Sequence, residues 1–263
     1  ATAMTETFVT AEIEGAIGTI TVRRPKALNA LNAALVGQLF EVATALAENP
    51  AVRVIQITGE GDRAFVAGAD ITEFVGATPA DAMAIALRIK KVTDLLAACP
   101  KPVVAVVNGF CLGGGFELAL ACDIRIASSK ALFGLPEIKL GILPGGGGTV
   151  RLTKVAGSSV ARMLAMTGDP IPASRAYELG LVVSVHAPEE LAGAARALAE
   201  KLAALSPFAL AQLKSSLTIA IDADMESACQ AEIKAFALCY STQDQEEGAS
   251  AFLEKRKPVF TGR

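Results

Sequence analysis

A chain of 263 residues, 52% hydrophobic and 19% charged, is long enough to bury a full core, and its composition excludes a disordered protein. With a net charge of −3 it offers no global positive field for nucleic acid or an anionic membrane. Five cysteines with no CxxC pair and one histidine, His186, argue against a zinc site and fit a reducing, cytoplasmic setting. Aromatic residues make up 5% and Trp is absent, so the core must come mainly from Ala, Val, Leu and Ile.

The opening stretch ATAMTETFVTAEIEG has no basic region followed by an apolar one, so it does not read as a signal peptide. No apolar run reaches the ~20 residues needed to span a bilayer. Gly18–Val22, Arg53–Thr58, Val103–Val107 and Asp123–Ala127 are rich in Val, Ile and Thr and predict strands. Leu31–Ala47 and Ala80–Ala98 carry apolar residues at helical spacing, and Asn49-Pro50 and Cys99-Pro100 end them. Alternating strands and helices predict a layered α/β core. His186 follows the β-like LVVSV and reads as structural. Beyond residue 187 only helices are predicted, starting at Pro188 and Pro207, with a third over Met225–Tyr240. That helical third reads as packing surface, against the core or a second subunit.

Four stretches could carry chemistry. AFVAGADITEF, Ala64–Phe74, contains a small-residue turn that could expose backbone N–H groups, though alone it is an ordinary strand-ending turn. NGFCLGGGFELALACD, Asn108–Asp123, runs Gly113, Gly114 and Gly115 into a helix predicted from Phe116, with Glu117 inside an apolar run. Free N–H groups at such a helix start suit an oxyanion. A carboxylate there either serves the helix dipole or is a tuned acid/base, because an unpaired buried one is costly. FGLPEIKLGILPGGGGTVRL, Phe133–Leu152, sets Glu137 and four glycines, Gly145 to Gly148, in a loop too apolar for a mobile, solvated one. The basic RRPKALNAL, Arg23–Leu31, and EKRK, Glu254–Lys257, are either solvated faces or a site for a polyanion.

Together RRPKALNALN, FVAGADI, VNGFCLGGGFELALACDIRIAS, FGLPEIKLGILPGGGGTVRL and AFLEKRKPVF resemble the ordered motifs of the crotonase superfamily, also called the enoyl-CoA hydratase/isomerase family. The resemblance covers nearly the whole chain. It implies an α/β fold: a crotonase-type spiral of ββα units over residues 1–200, holding the catalytic and CoA site. A C-terminal helical region over 201–263 would serve oligomerisation and CoA capping in a homotrimer or homohexamer.

Carried over position by position, the resemblance implies an oxyanion hole from the backbone N–H groups of Ala69 and Gly114, holding a thioester oxygen as an enolate develops. Glu117 and Glu137 match the paired catalytic glutamates, with Glu117 chiefly base toward water and Glu137 the acid at Cα. Gly145 matches a glycine near the catalytic water. Arg24, Lys26 and Ala27 match the segment lining the coenzyme A nucleotide, and Ala67 the backbone at the adenine. Gly68, Asp70 and Ile71 flank it. Phe252 and Lys255 match residues that reach CoA, often that of a neighbouring subunit. The implied substrate is an acyl-CoA thioester, with no cofactor beyond the CoA it carries and no metal.

The implied reaction is syn addition of water to a trans-2-enoyl-CoA, as in fatty-acid oxidation, giving the (3S)-3-hydroxyacyl-CoA. Isomerases, dehalogenases, decarboxylases and thioester hydrolases share the same hole, so the glutamate pair decides. Isomerases commonly keep only the position matching Glu137. An RNA-binding member of the family is the alternative from another class, and a pI of about 5.4 without a lysine-dense helix counts against it. Acyl-chain preference is expected to be set within Phe74–Leu96.

Overall fold

The computed structural model describes residues 6–263, so residues 1–5 of the opening stretch lie outside the described residues. Strands β1 (Val9–Glu14) and β2 (Ile17–Val22) form an antiparallel hairpin, and helix α1 (Ala33–Glu48) follows. Three turns of one pattern come next. The first is β3 (Val54–Gly59), β4 (Ala64–Val66) and α2 (Pro79–Ala98). The second is β5 (Val103–Val107), β6 (Phe110–Leu112) and α3 (Gly114–Ala121). The third is β7 (Ile124–Ser128), β8 (Leu132–Gly134) and α4 (Gly148–Ala156).

In each turn the first strand enters one sheet and the second strand the other. The six-stranded sheet has the order β1-β2-β3-β5-β7-β10, and the four-stranded sheet β4-β6-β8-β9. Helix α5 (Ser158–Thr167), strand β9 (Ile171–Pro172), helix α6 (Ala173–Glu178) and strand β10 (Ser184–His186) complete the sheets. Parallel pairing from β2 through β10 leaves the inner strands covered on both faces. The VVAVV of β5 is accordingly buried at all five positions. This is the spiral of ββα units that the sequence resemblance implies.

Local chemistry fixes the helices that carry the site. Thr78 and Asp81 form a reciprocal capping box at the start of α2, with Pro79 in its first turn. Ile89, Val92, Thr93 and Leu96 make its buried stripe. Helix α3 starts two residues before the predicted Phe116 because Gly113, at φ +51°, turns the chain into it. All eight residues of α3 are buried. A Cβ on Gly115 would lie 2.0 Å from the Val66 carbonyl oxygen, so only glycine lets this helix sit on β4. Buried Arg125 closes the other end, donating to the Ala119 and Cys122 carbonyls at 3.3 and 2.8 Å.

Helix α7 (Leu191–Ala203) lies on the six-stranded sheet through Leu191, Ala195 and Ala199. It begins three residues after the predicted Pro188, because Ala187 O accepts the Glu190 and Leu191 N–H groups and holds residues 188–190 in a turn. Helices α8 (Pro207–Asp222), α9 (Met225–Cys239) and α10 (Gln243–Glu254) follow. Neither α8 nor α9 has a buried residue, and Leu217, Ile221, Ile233 and Phe236 stand exposed along them. Lys214 anchors α8 to the core, pairing with Asp123 at 2.8 Å and donating to the Leu96 and Lys101 carbonyls. Among the described residues no single helix is long and apolar enough to cross a membrane.

Candidate active site

One cavity of about 500 Å³ lies where α2, α3, the turn after β4 and the glycine loop before α4 converge. Its lining is largely apolar, with Phe74, Ile85 and Ile89 on one side and Leu140, Ile142 and Leu143 on another. These three loop residues are 42–71% exposed, so the stretch read as too apolar for a solvated loop presents its side chains to the cavity mouth and solvent. Within that stretch Pro136–Leu140 forms a 3-10 turn and Gly148 already begins α4. Glu117 and Glu137 both line the cavity.

Glu117 is 2% exposed. Its Oε1 accepts the backbone N–H groups of Gly146 and Gly148, each at 2.8 Å. Burial pushes its pKa up, and the Gly148 and Gly146 N–H groups, with the Arg151 charge, oppose that. A side chain at either donor position would crowd the carboxylate: a Cβ on Gly146 would sit 2.6 Å from Glu117 Oε2, and one on Gly148 2.9 Å from Oε1. The chain therefore wraps its own backbone around the carboxylate.

Glu137 leads the 3-10 turn behind Pro136 and faces Gly113, whose Cβ would meet its Oε1 at 2.8 Å. Its Oε2 is buried without a hydrogen-bond partner. Burial, reinforced by the Glu117 charge, pushes its pKa up to about 7. Two carboxylates thus share one apolar cavity, one taking two N–H donors from the glycine loop and the other with its Oε2 unpartnered. That asymmetry makes Glu117 the more readily ionised of the two and Glu137 the more readily protonated.

The backbone N–H groups of Ala69 and Gly114 have no acceptor among the described residues. Gly114 is the first residue of α3, where the helix itself supplies no acceptor. A Cβ on Gly114 would lie 3.9 Å from Ala69 N, which puts the two donors side by side at the cavity wall. The turn carrying Ala69 is fixed from α1's side by Leu31, whose N–H donates to Gly68 O at 2.9 Å and whose carbonyl accepts the Asp70 N–H at 2.7 Å. Paired free donors at a helix start can bind a developing oxyanion.

Ala67, Gly68, Ala69, Ile71, Gly114, Glu117, Glu137 and Gly145 are brought together on the cavity wall. Arg24, Lys26, Ala27, Asp70, Phe252 and Lys255 are not on it. Arg24 and Asp70 instead pair with each other at 2.8 Å, and Asp70 caps the 3-10 turn Ile71–Glu73. The Thr72 hydroxyl and the Arg24 guanidinium hold the Asp70 carboxyl below its ordinary range. Lys26 and Ala27 lie in the 3-10 turn Pro25–Ala27, while Phe252 is 83% exposed on α10 and Lys255 ends that helix at φ +56°. The Gly146 and Gly148 donors were not singled out by sequence; the run of four glycines was their only signal. Among the described residues no group of three His, Cys, Asp or Glu is placed to hold a metal ion.

Known proteins resemble this chain over most of its length. The sequence model described as enoyl-CoA hydratase/isomerase matches residues 12–263. A crotonyl-CoA hydratase of Syntrophomonas wolfei is 43% identical over 252 residues, 96% of this chain and 97% of its own. A short-chain-enoyl-CoA hydratase of Clostridium acetobutylicum is 42% identical over 246 residues, 94% of each chain. The crystal structure of an enoyl-CoA hydratase subunit from Geobacillus kaustophilus superposes with a TM-score of 0.94 at 43% identity, covering 99% of this chain and 100% of that one. An enoyl-CoA hydratase from Bacillus anthracis gives the same TM-score at 36% identity, covering 98% and 100%. The chain belongs to the enoyl-CoA hydratase/isomerase family.

Proposed function

We propose that this protein is an enoyl-CoA hydratase, adding water syn across the double bond of a trans-2-enoyl-CoA to give the (3S)-3-hydroxyacyl-CoA. The observation that carries the reading is the presence of both Glu117 and Glu137 in one apolar cavity with the free N–H groups of Ala69 and Gly114. An isomerase moves a proton between carbons and needs one such carboxylate. Adding water needs a base toward oxygen and an acid toward carbon.

The two N–H groups receive the thioester oxygen, and their fixed dipoles stabilise the negative charge that grows on it. Glu117, held as the anion by Gly146 and Gly148, accepts a proton from water as the oxygen bonds to Cβ. Glu137, whose pKa of about 7 keeps a substantial protonated fraction at neutral pH, donates its proton to Cα as the enolate collapses. Syn addition requires both carboxylates to act on the same face of the double bond. Transfer of the proton from Glu117 back to Glu137 through solvent resets the pair.

The apolar lining suits the acyl chain. Arg24, Lys26, Ala27, Phe252 and Lys255, off the cavity wall, are assigned to the nucleotide end of CoA, with Phe252 and Lys255 serving a neighbouring subunit's ligand. The exposed apolar stripe of α8 and α9 supports a homotrimer or homohexamer, with residues 201–263 as the assembling region. Loss of the conjugated enoyl-thioester absorbance on mixing the protein with crotonyl-CoA, with 3-hydroxybutyryl-CoA as product, tests the reading. Binding without turnover on crotonyl-CoA and trans-2-decenoyl-CoA alike would remove it.

A further inference from the structure

We propose that Thr93 is a positioning residue for Glu117, holding in place the glycine turn that supplies the carboxylate's hydrogen bonds. Thr93 lies on α2, is fully buried, and is not on the cavity wall. Its hydroxyl oxygen stands 3.3 Å from Gly146 O and 3.0 Å from Lys90 O, one turn back on its own helix. The single hydroxyl hydrogen therefore has two carbonyls to choose between.

Satisfaction of buried groups decides the choice. Lys90 O already lies inside the regular ladder of α2, where the Asp94 N–H is its helical partner. Gly146 is buried, and its carbonyl has no other donor among the described residues. A buried carbonyl without a donor is disfavoured, so the hydroxyl serves Gly146.

Gly146 is thereby held at both ends, its N–H on Glu117 and its carbonyl on Thr93. The loop needs this because it cannot stiffen itself. Glu117 occupies the space where a Cβ on Gly146 or Gly148 would stand, and both are glycine, the residue with the most backbone freedom. Rigidity has to reach such a loop from outside through its backbone. Thr93 supplies it at Gly146, and the Arg151 N–H supplies it at Gly147 O, 2.8 Å away. The Arg151 side chain lies back over Gly147 and reaches Asp94, the residue next to Thr93, at 3.4 Å.

The inference rests on the reading of Glu117 as the base, and the test separates the two. Thr93→Val keeps the shape and removes the hydroxyl, while Thr93→Ser keeps it. The titratable groups facing Glu117 are Glu137 from the 3-10 turn and Arg151 from α4, and both substitutions leave those charges in place. In crotonyl-CoA hydration, Thr93→Val should lower kcat roughly 5- to 10-fold, the effect of one net hydrogen bond acting through the barrier. KM should stay near wild type. Looser N–H donation favours the neutral carboxyl, so the acid limb of the pH profile should move to higher pH. A ¹³C NMR titration of the Glu117 carboxyl, assigned with Glu117→Gln, should move the same way, and Thr93→Ser should restore both.

A folded Thr93→Val protein whose Glu117 titration stays at the wild-type position would overturn the proposal, whatever its rate. If Thr93→Val does not fold, Thr93→Cys, with a weak S–H donor, carries the same titration test. Should Glu117→Gln keep wild-type hydration, the assignment of the base fails, while the titration still decides whether Thr93 positions that carboxylate.

Discussion

Glu117 and Glu137 face the same cavity with opposite hydrogen-bond provision: Oε1 of Glu117 takes two backbone N–H groups at 2.8 Å, and Oε2 of Glu137 is buried with none. The donors come from a glycine loop that wraps one carboxylate and does not reach the other. Burial, with the Glu117 charge that the loop stabilises, pushes Glu137 toward its neutral form. Base and acid are therefore set by one arrangement.

Replacing either carboxylate by its amide should separate chemistry from binding. Glu117→Gln and Glu137→Gln should each lower kcat for hydration about 10²–10⁴-fold, the usual contribution of a positioned general acid or base. Affinity for a non-hydratable acyl-CoA, measured by calorimetry, should stay near wild type, because the amide keeps the volume and the assigned nucleotide contacts lie off the cavity wall. A near wild-type rate in either variant would remove that residue from the mechanism.

The pH dependence follows from the Glu137 value of about 7. As the acid it must be protonated, so kcat/KM should fall as pH rises through that region, with the acid limb belonging to Glu117. Stability carries an independent signature. The folded pKa of Glu137 is raised from 4.5 to about 7, so between those values the folded state binds more protons than the unfolded state. Stability then falls as pH rises through that window, and the burial penalty is fully present above it. Glu137→Gln removes this term, so its melting temperature relative to wild type should climb between about pH 5 and about pH 8. A constant difference across that range would show that Glu137 does not titrate as described.

The glycine loop makes a steric prediction. A Cβ on Gly146 would stand 2.6 Å from Glu117 Oε2 and 2.5 Å from Ile89 Cγ2, so Gly146→Ala must displace the carboxylate, the loop or both. A misplacement of about 1 Å can cost on the order of 10²-fold in rate. Gly141→Ala is the control for general disturbance of this stretch: it has φ +73° but open space around it, and it should leave kcat within a few-fold. Equal losses in both variants would mean that disturbance of the loop, not contact with Glu117, explains the effect.

How much of this could be read from sequence depended on the range of the interaction. Val103–Val107 is a strand at the predicted residues because a run of β-branched residues between Pro102 and Asn108 has no competing reading. Helix α2 was legible from the apolar spacing of Ala80–Ala98 and from Cys99-Pro100 at its end, while its start at Pro79 comes from the Thr78–Asp81 capping box. Strands β4, β6 and β8 carried no such signal: each has three residues, too few to show a period. They owe their form to pairing in a second sheet. Both glutamates were visible as residues, and the motifs around them carried the resemblance. Their unequal hydrogen bonding was not visible, since it arises from the approach of residues 29 and 31 positions away along the chain.

Acyl-chain preference should be set on α2. Ala82 and Ala86 leave space on the cavity wall between Ile85 and Ile89, and a Cβ on Gly145 would meet Ala86 Cβ at 3.1 Å. Position 86 thus projects toward the glycine loop, and a larger side chain there narrows the cavity. Ala86→Leu adds a branched apolar group to a wall that is already apolar, so it should fold. A short crotonyl chain needs little of this volume and should keep kcat/KM within a few-fold. A decenoyl chain extends farther along the wall, and each obstructed methylene is worth roughly tenfold or more in discrimination. The ratio of kcat/KM for trans-2-decenoyl-CoA to that for crotonyl-CoA should therefore fall at least about tenfold. An unchanged ratio would place the acyl chain elsewhere in the cavity, toward the opposite wall of Leu140, Ile142 and Leu143, where Leu143→Ala would then be the substitution that moves it.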